Sequence, residues 1–257
     1  MSSFNQALTS TLGKKLIMSL TGLFLCTFLI VHLIGNLQLF KDDAGKAFND
    51  YAYFMTHFAP IKVVSYLLYA SIIIHAIYAL ILTLQNKKAR PVGYASYAGN
   101  RNSTWNSRNM GILGTVLLVF IATHLSNFWW KYHNDEVPYI EYRTNLNTLD
   151  TQASELSAAE FSDYQKFVQD GEEITKARDL YKQVAFAFQN PILVAFYVLA
   201  MIALSFHLIH GFRSAFQSLG FDHKKYTPII RFLAIWAFGI IIPIGFAAMP
   251  LYFFFCK

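Results

Sequence analysis

Five long apolar runs dominate this sequence and constrain its fold more than any other feature. A helix needs roughly 20 mostly apolar residues to cross about 30 Å of hydrocarbon. The runs cover about residues 16–40, 61–85, 110–131, 191–217 and 228–255, and they are called spans I–V below. Inside lipid every backbone polar group must be bonded within the protein, so each run is expected to be a helix. The sequence therefore predicts an all-α integral membrane protein with five transmembrane helices.

The composition supports a membrane protein and excludes several other classes. Only 14% of the residues are charged, whereas a soluble domain has about 25%. The two cysteines, Cys26 and Cys256, have no partner at metal-ligand spacing, and no C-x-x-C-H motif for covalent haem attachment is present. The first apolar run is longer than the 7–15 residues of a signal-peptide core, so no cleavable signal peptide is predicted.

The positions of the basic residues predict the orientation. Lys and Arg are enriched in the loops on the inner side of a membrane. Here they cluster before span I and in the II–III and IV–V connections: Lys14, Lys15, Lys87, Lys88, Arg90, Arg101, Arg108, Arg213, Lys224, Lys225 and Arg231. We therefore predict that the N-terminus is inside and the C-terminus outside. The net charge of +6 is explained by this topology, and no nucleic-acid partner is expected.

The III–IV connection, about residues 132–190, is rich in acidic residues and is the only sizeable segment in water. Ser157 and Glu160 have the spacing of a capping box. The apolar residues that follow, Phe161, Tyr164, Phe167 and Val168, recur at helical spacing. A second helix is expected from about Glu172 to Phe188, after a break at Gly171. The sequence thus predicts a helical insertion on the outer face.

Histidines inside the spans are the main candidates for function. Ionisable residues within a membrane are costly and are usually functional. Of the eight histidines, four lie deep in successive spans: His32, His75, His124 and His207. His210 follows one turn after His207, and on helical geometry alone either of the two could be a ligand. The other three, His57, His133 and His223, lie in connections and are expected at the surface.

The depths of the four histidines predict two pairs. At 1.5 Å per residue, His32 lies about 25 Å beyond the inner end of span I. His124 lies 16 residues beyond Arg108, so it also belongs to the outer half. Spans II and IV run the other way, and His75 and His207 are nearer the inner side. We therefore expect His32 to face His124 in an outer layer and His75 to face His207 in an inner layer.

The chemistry of these donors favours haem iron. Neutral imidazoles without a nearby carboxylate or thiolate suit haem iron better than a hard cation. Zinc would need more protein ligands in each layer, and a proton relay would usually contain acidic residues, which the spans lack. Small residues close to the histidines would let a porphyrin approach the backbone: Gly35, Ala76, Ala122 and Gly211. The sequence therefore predicts two bis-histidine haem sites on a four-helix bundle of spans I–IV.

At these residues the chain resembles a known family, the cytochrome b membrane anchors of succinate dehydrogenase and fumarate reductase. The resemblance is to the single-chain, five-helix type with two haems. It is carried by SLTGLFLCTFLIVHLIGN in span I, IIIHAIYAL in span II, FIATHLSNFWW in span III and SFHLIHGFRSAF in span IV. The family pattern of a ligand, a glycine and a basic residue maps to His207, Gly211 and Arg213. It thus implies that His207, not His210, is the ligand.

The resemblance also implies cofactors, partners and location. It implies two haem b groups, a flavoprotein subunit and an iron–sulfur subunit that dock on the inner face, and reduction of a membrane quinone, expected to be menaquinone. The implied location is the bacterial cytoplasmic (inner) membrane, with span V outside the haem-binding bundle. Candidates for pairing with haem propionates are Arg213, Ser19, Lys14 and Arg108. Candidates for the quinone site are Asn36, Gln38, Ser126 and Asn127.

Two alternative functions remain open at this point. One is a two-haem cytochrome b that anchors another quinone-linked oxidoreductase, of the hydrogenase or formate dehydrogenase type. The other is a haem-free transporter or channel, which would be expected to have broken helices, inverted repeats and charged lining residues. No such repeat is evident in the sequence.

Overall fold

The computed structural model describes residues 10–89 and 103–257. Within those ranges five helices are long and apolar enough to cross a membrane: Thr11–Phe40, Ala59–Lys88, Met110–His133, Pro191–Ser218 and Thr227–Cys256. The prediction of an all-α protein with five membrane helices is confirmed, and the chain is a multi-pass membrane protein. Arg90 and Arg101, which were used to predict the orientation, lie outside the described residues.

The membrane helices differ in regularity and in burial. Span I ends in a 3₁₀ turn at Leu37–Phe40, span III contains π-helical turns at Leu125–Trp130, and span V contains π-helical turns at Ala234–Ile241. In the most apolar window of each helix, 39% of span IV is buried but only 6% of span II. Span IV is therefore the most enclosed of the five, whereas span II leaves most of its apolar surface for lipid or a partner.

The chain divides into two compact units, and membrane helices contribute to both. Unit 1 contains the described residues of Met1–Val31, Ser65–Phe120 and Tyr197–Ala247. Unit 2 contains His32–Val64, Ile121–Phe196 and Ala248–Lys257. Within unit 1, span V packs closely on span IV, because a Cβ atom added to Gly239 would lie 2.5 Å from Ile209 Cγ1.

The prediction of a helical insertion at 132–190 is wrong for most of its length. The segment forms a four-stranded antiparallel sheet in the order β2-β1-β4-β3. Its strands are Tyr139–Asn145 (β1), Thr151–Leu156 (β2), Gln165–Gln169 (β3) and Glu172–Arg178 (β4). Only its last part is helical, at Leu180–Ala187, and the helix predicted from Glu172 therefore begins eight residues later.

Local turn chemistry explains this difference. Asp170 and Gly171 both have positive φ, at 52° and 81°. An Asp-Gly pair between two strands is a typical two-residue hairpin turn, because both positions need a left-handed backbone. Ser157 and Glu160 do form the predicted side-chain contacts, with Ser157 Oγ donating to Glu160 Oε2 at 2.6 Å. They close a turn instead of starting a helix.

A helix in the I–II connection supports this sheet. It runs from Lys46 to His57 and is labelled α1; the Leu180–Ala187 helix is labelled α2. Lys46 Nζ lies 3.3 Å from Glu173 Oε1 of β4, and the Tyr53 ring stacks on Tyr164 with centroids 3.8 Å apart. The I–II and III–IV connections therefore share one body, as expected if both lie on the same side of a membrane.

Candidate functional site

The structure brings the four membrane histidines together as two facing pairs. The ring centroids of His32 in span I and His124 in span III are 5.8 Å apart, with an interplanar angle of 87°. Those of His75 in span II and His207 in span IV are 6.4 Å apart, with an angle of 61°. These are the pairs that helix direction and depth predict. We call them the 32/124 pair and the 75/207 pair.

Each pair lies within a single unit. His75 and His207 belong to unit 1, and His32 and His124 belong to unit 2. Two imidazoles joined to one metal ion by bonds of about 2.0–2.1 Å have centroids roughly 6 Å apart. Both observed separations therefore suit one metal ion held between two imidazoles. In the part of the chain that the structure describes, no group of three or more His, Cys, Asp or Glu side chains is placed to hold a metal.

A threonine on span I fixes the orientation and tautomer of His75. Thr21 Oγ1 donates to the Ile17 carbonyl at 2.7 Å, as Thr hydroxyls in helices often do. Its oxygen also lies 3.0 Å from His75 Nδ1. When the hydroxyl donates to Ile17, the second bond runs from Nδ1–H of His75 to the hydroxyl oxygen. Nε2 of His75 therefore keeps its lone pair for a metal.

Two glycines make room beside this pair, and each lies on a helix that does not carry the histidine it faces. A Cβ atom added to Gly22 of span I would lie 3.4 Å from His75 Cε1. One added to Gly114 of span III would lie 3.9 Å from His207 Cε1. At these two positions the backbone of a neighbouring helix, without a side chain, lies beside a histidine ring, which leaves more space there for a flat, bulky macrocycle.

His207, and not His210, faces His75. His207 Nδ1 is buried and has no hydrogen-bond partner among the described residues. His210 instead lines a separate cavity together with residues of span V. The structure thus pairs His207, and not His210, with His75; its role as a haem ligand stays a prediction.

An amide side chain lies close to the 32/124 pair. Asn36 Nδ2 donates to the His32 carbonyl at 2.7 Å and lies 3.3 Å from His32 Nδ1. The Phe128 ring meets His124 edge-on, with centroids 5.3 Å apart. The π-helical turns of span III begin directly after His124, and such turns frequently occur at functional sites.

Two of the small residues next to the histidines in sequence, Gly35 and Gly211, have different surroundings. The Tyr51 side chain fills the space beside Gly35, since a Cβ atom added to Gly35 would lie 2.3 Å from Tyr51 Cε1. Gly35 therefore lets α1 pack closely against span I, and Tyr51 occupies the space there that a porphyrin would need. An added Cβ at Gly211 would meet nothing within 4 Å. The glycines that do face histidine rings, Gly22 and Gly114, were not singled out from the sequence.

The four propionate candidates lie in unit 1 with the 75/207 pair, but three of them already bond to other groups. Ser19 is buried, but its hydroxyl donates to the Lys15 carbonyl at 2.8 Å. Lys14 Nζ donates to Gln85 Oε1 at 3.3 Å, and the Arg108 guanidinium binds the Ser103 carbonyl. Arg213 is exposed and lines two cavities. Their role toward a propionate stays a prediction.

Two of the quinone candidates carry buried polar atoms that lack a partner. Gln38 Oε1 and Asn127 Nδ2 have no hydrogen-bond partner among the described residues. Asn127 also accepts a bond at its carbonyl from Gln183 Nε2, at 3.2 Å. Asn36 contacts His32, as described above, and Ser126 is exposed. All four lie in unit 2 with the 32/124 pair.

The remaining histidines lie at the surface, as predicted. His57, His133 and His223 are all exposed. His57 is the last residue of α1, and its ring stacks on Tyr53 with centroids 4.1 Å apart.

Comparison with known proteins adds no relative. No protein-family model, no curated protein and no solved structure matches this chain.

Proposed function

We propose that this chain is the di-haem cytochrome b anchor subunit of a succinate dehydrogenase or fumarate reductase complex. In this role it docks the flavoprotein and iron–sulfur subunits and passes electrons through two b haems to a membrane quinone. One observation carries the haem proposal: four membrane helices each contribute one histidine, and the four histidines face each other as two pairs. The assignment to a succinate or fumarate complex rests on the sequence stretches around those histidines.

The donor set fits haem better than a bare metal ion. Each pair supplies two imidazoles and no carboxylate, whereas a zinc site needs three or four protein ligands. A porphyrin supplies the four equatorial nitrogens itself, so two axial histidines complete the iron coordination. The residues that would hold the two haems are His32 with His124 and His75 with His207. When bound there, haem b supplies a reversible one-electron carrier.

The residues around the pairs have distinct tasks in this proposal. Thr21 holds His75 with Nε2 toward the site, and Gly22 and Gly114 leave room beside the rings. The apolar helices exclude water, and no acidic residue in the spans competes for iron or carries protons. A haem-free transporter is disfavoured, because the described spans continue through π-helical turns and are not unwound at mid-depth.

The proposed quinone site lies beside the 32/124 pair. Gln38 and Asn127 each bury a polar atom without a partner, and buried polar groups normally have one. A quinone carbonyl would accept a hydrogen bond from Asn127 Nδ2, and a quinol hydroxyl would donate one to Gln38 Oε1. We propose menaquinone as the quinone, on the inner membrane of a bacterium with the N-terminus inside, as the sequence resemblance implies.

A haem assay on the purified full chain tests this proposal. The pyridine haemochrome method should give about two b haems per chain, and acidic acetone should extract both. One haem per chain, or haem retained covalently, would contradict the two-pair arrangement. The subunits that co-purify then distinguish the complexes: a flavoprotein with succinate dehydrogenase activity supports the proposal, whereas a hydrogenase or formate dehydrogenase subunit replaces it with the alternative.

A further inference from the structure

A cavity of about 320 Å³ lies between spans IV and V, within unit 1. Two arginines line it, Arg213 from span IV and Arg231 from span V. His210, Thr104 and Asn106 add polar groups, and isoleucine and alanine side chains form an apolar wall. The cavity thus combines cationic and polar groups with apolar surface at one end of two membrane helices.

The two arginines have no counter-charge in the described part of the chain. Neither guanidinium is within 4.0 Å of a carboxylate there. The full sequence has no Asp or Glu at 51–134, 180–221 or 223–257. Asp222 shares a smaller neighbouring pocket with Arg213, but its Oδ1 accepts from the Thr227 hydroxyl at 2.8 Å. Two adjacent cations without a counter-charge favour an anion from outside the chain.

This cavity is separate from the 75/207 pair. At 100° per residue, Arg213 lies about 120° around the helix from His207. Much of the opposite wall comes from span V, at Arg231, Ala234 and Ile235. Span V carries no histidine. The arginine pair therefore faces a different side of span IV from the ring that meets His75, and the role assigned to Arg213 in this cavity replaces the predicted contact with a haem propionate.

We propose that this cavity binds the phosphate group of an anionic ligand, with Arg213 and Arg231 as its main contacts. A guanidinium presents planar, paired N–H donors that match phosphate oxygens. The Thr104 oxygen accepts from Ser107 N at 3.3 Å, so its hydroxyl proton remains available to donate. Basic pockets between membrane helices bind the headgroups of anionic lipids, and the apolar wall suits an acyl chain. A soluble phosphate compound offers the same phosphate chemistry.

Lipid binding to the purified full chain in neutral detergent tests this site. Native mass spectrometry with added phosphatidylglycerol or phosphatidylcholine measures the affinity for an anionic and a zwitterionic lipid. A parallel titration with inorganic phosphate, followed by thermal unfolding, probes a soluble ligand. The variants are Arg231→Gln, the charge-retaining Arg231→Lys, and Lys224→Gln as a control. The Lys224→Gln substitution also removes one positive charge from the IV–V connection, but Lys224 does not line the cavity.

We expect phosphatidylglycerol to bind more tightly than phosphatidylcholine. Arg231→Gln should weaken that binding about five- to tenfold, since one basic residue near a lipid surface contributes about 1 kcal/mol. Arg231→Lys should recover part of the affinity, and Lys224→Gln should change it less than about twofold. If inorganic phosphate stabilises the chain with the same dependence on Arg231 and the lipid does not bind, the phosphate site stands and its ligand is soluble.

Two results would overturn the site. One is equal binding of both lipids together with no effect of inorganic phosphate. The other is an Arg231→Gln variant that behaves like Lys224→Gln. Haem content is measured separately on the same preparations, so failure of this site leaves the haem proposal untouched, and the reverse also holds.

Discussion

Replacing Thr21 by valine should alter the haem held by the 75/207 pair. Valine keeps the shape of threonine, so packing against His75 and Gly22 is preserved. The variant removes the acceptor that lies 3.0 Å from His75 Nδ1. Without it, His75 loses the bond that fixes its tautomer and that makes Nε2 more electron-rich.

The magnitude follows from the loss of one neutral hydrogen bond in an apolar site. Such a bond contributes about 0.5–1.5 kcal/mol, and losing the partner of a ligating histidine typically weakens metal binding about 10- to 100-fold. We expect haem binding at this pair to weaken about tenfold. A less electron-rich ligand stabilises ferric iron less, so the midpoint potential should rise. At 59 mV per tenfold change for one electron, the loss of 0.5–1.5 kcal/mol corresponds to a rise in the midpoint potential of at most roughly 20–60 mV.

Redox titration of the purified chain, followed in the visible spectrum, measures both potentials. Thr27→Val is the matched control, because Thr27 lies on the same helix and its hydroxyl also donates to a carbonyl four residues back, at 3.0 Å from Leu23 O. Among the described residues, Thr27 forms no hydrogen bond to a histidine. The expected result is one shifted potential in Thr21→Val and none in Thr27→Val. Equal haem contents and potentials in the two variants would refute the proposed role of Thr21.

Three further predictions concern the histidine pairs and the sheet. His75→Ala and His207→Ala should each leave one surviving haem, and the two variants should show the same midpoint potential in a redox titration. His32→Ala and His124→Ala should likewise agree with each other and show the other potential, and His210→Ala should retain both haems. Different potentials within either pair of variants would contradict the pairing. Partial burial alone would raise the pKa of Glu173, but its ion pairs with Lys166 and Lys46 outweigh burial and lower that pKa. Its stabilising effect is therefore complete above the ordinary Glu pKa of about 4.3 and is lost as the pH falls through the lower, folded value. Hydrogen exchange of β4 should accelerate on acidification less in Glu173→Gln than in the parent chain. Asn49→Ala should speed hydrogen exchange throughout β1 and β4.

The membrane part of the fold was predictable because lipid imposes strict conditions on it. A span must be apolar, about 20 residues long and helical, so hydropathy alone gives Thr11–Phe40 and Pro191–Ser218 to within a few residues. Alternating helix directions and the fixed rise per residue then place His32 with His124 and His75 with His207. The glycines facing the rings are not predictable from the sequence because they lie on neighbouring helices, whereas proximity in sequence indicates Gly35 instead.

The sheet was missed because its pairing is non-local. The core of the sheet depends on Ile140 and Tyr142 of β1 meeting β4, where Ala177 lies opposite Ile140. No local spacing shows that contact. The spacing of Phe161, Tyr164 and Phe167 imitates a helix, yet Phe167 is exposed on the edge strand β3. Asp170-Gly171 is a typical hairpin turn, but beside residues at helical spacing the same pair equally predicts a break between two helices.

The Asn49 side chain joins α1 to the insertion, which makes it a strong test of this body. It is 1% exposed. Its Nδ2 donates to Tyr142 Oη and to Asp179 Oδ1, each at 2.9 Å, and its Oδ1 accepts from Tyr181 N at 3.0 Å. Alanine removes all three bonds. Tyr142 Oη still donates to the Ala44 carbonyl and Asp179 Oδ1 still accepts from Lys182 N, so the cost is that of the lost bonds, about 0.5–1.5 kcal/mol for a neutral one and about 1.5–3 kcal/mol for the one to the carboxylate.

We therefore expect Asn49→Ala to destabilise the sheet by about 3 kcal/mol or more, which corresponds to at least roughly 100-fold faster exchange of its protected amides. Hydrogen-exchange mass spectrometry of peptides covering β1 and β4 measures this change. The control is Asn134→Ala, which removes one exposed bond, from Nδ2 to the Trp130 carbonyl at 2.8 Å. Because surface substitutions usually change stability by no more than about 0.5 kcal/mol, the control should leave exchange nearly unchanged. Similar exchange rates in the two variants would show that the Asn49 bonds do not hold α1 and the sheet together as one body.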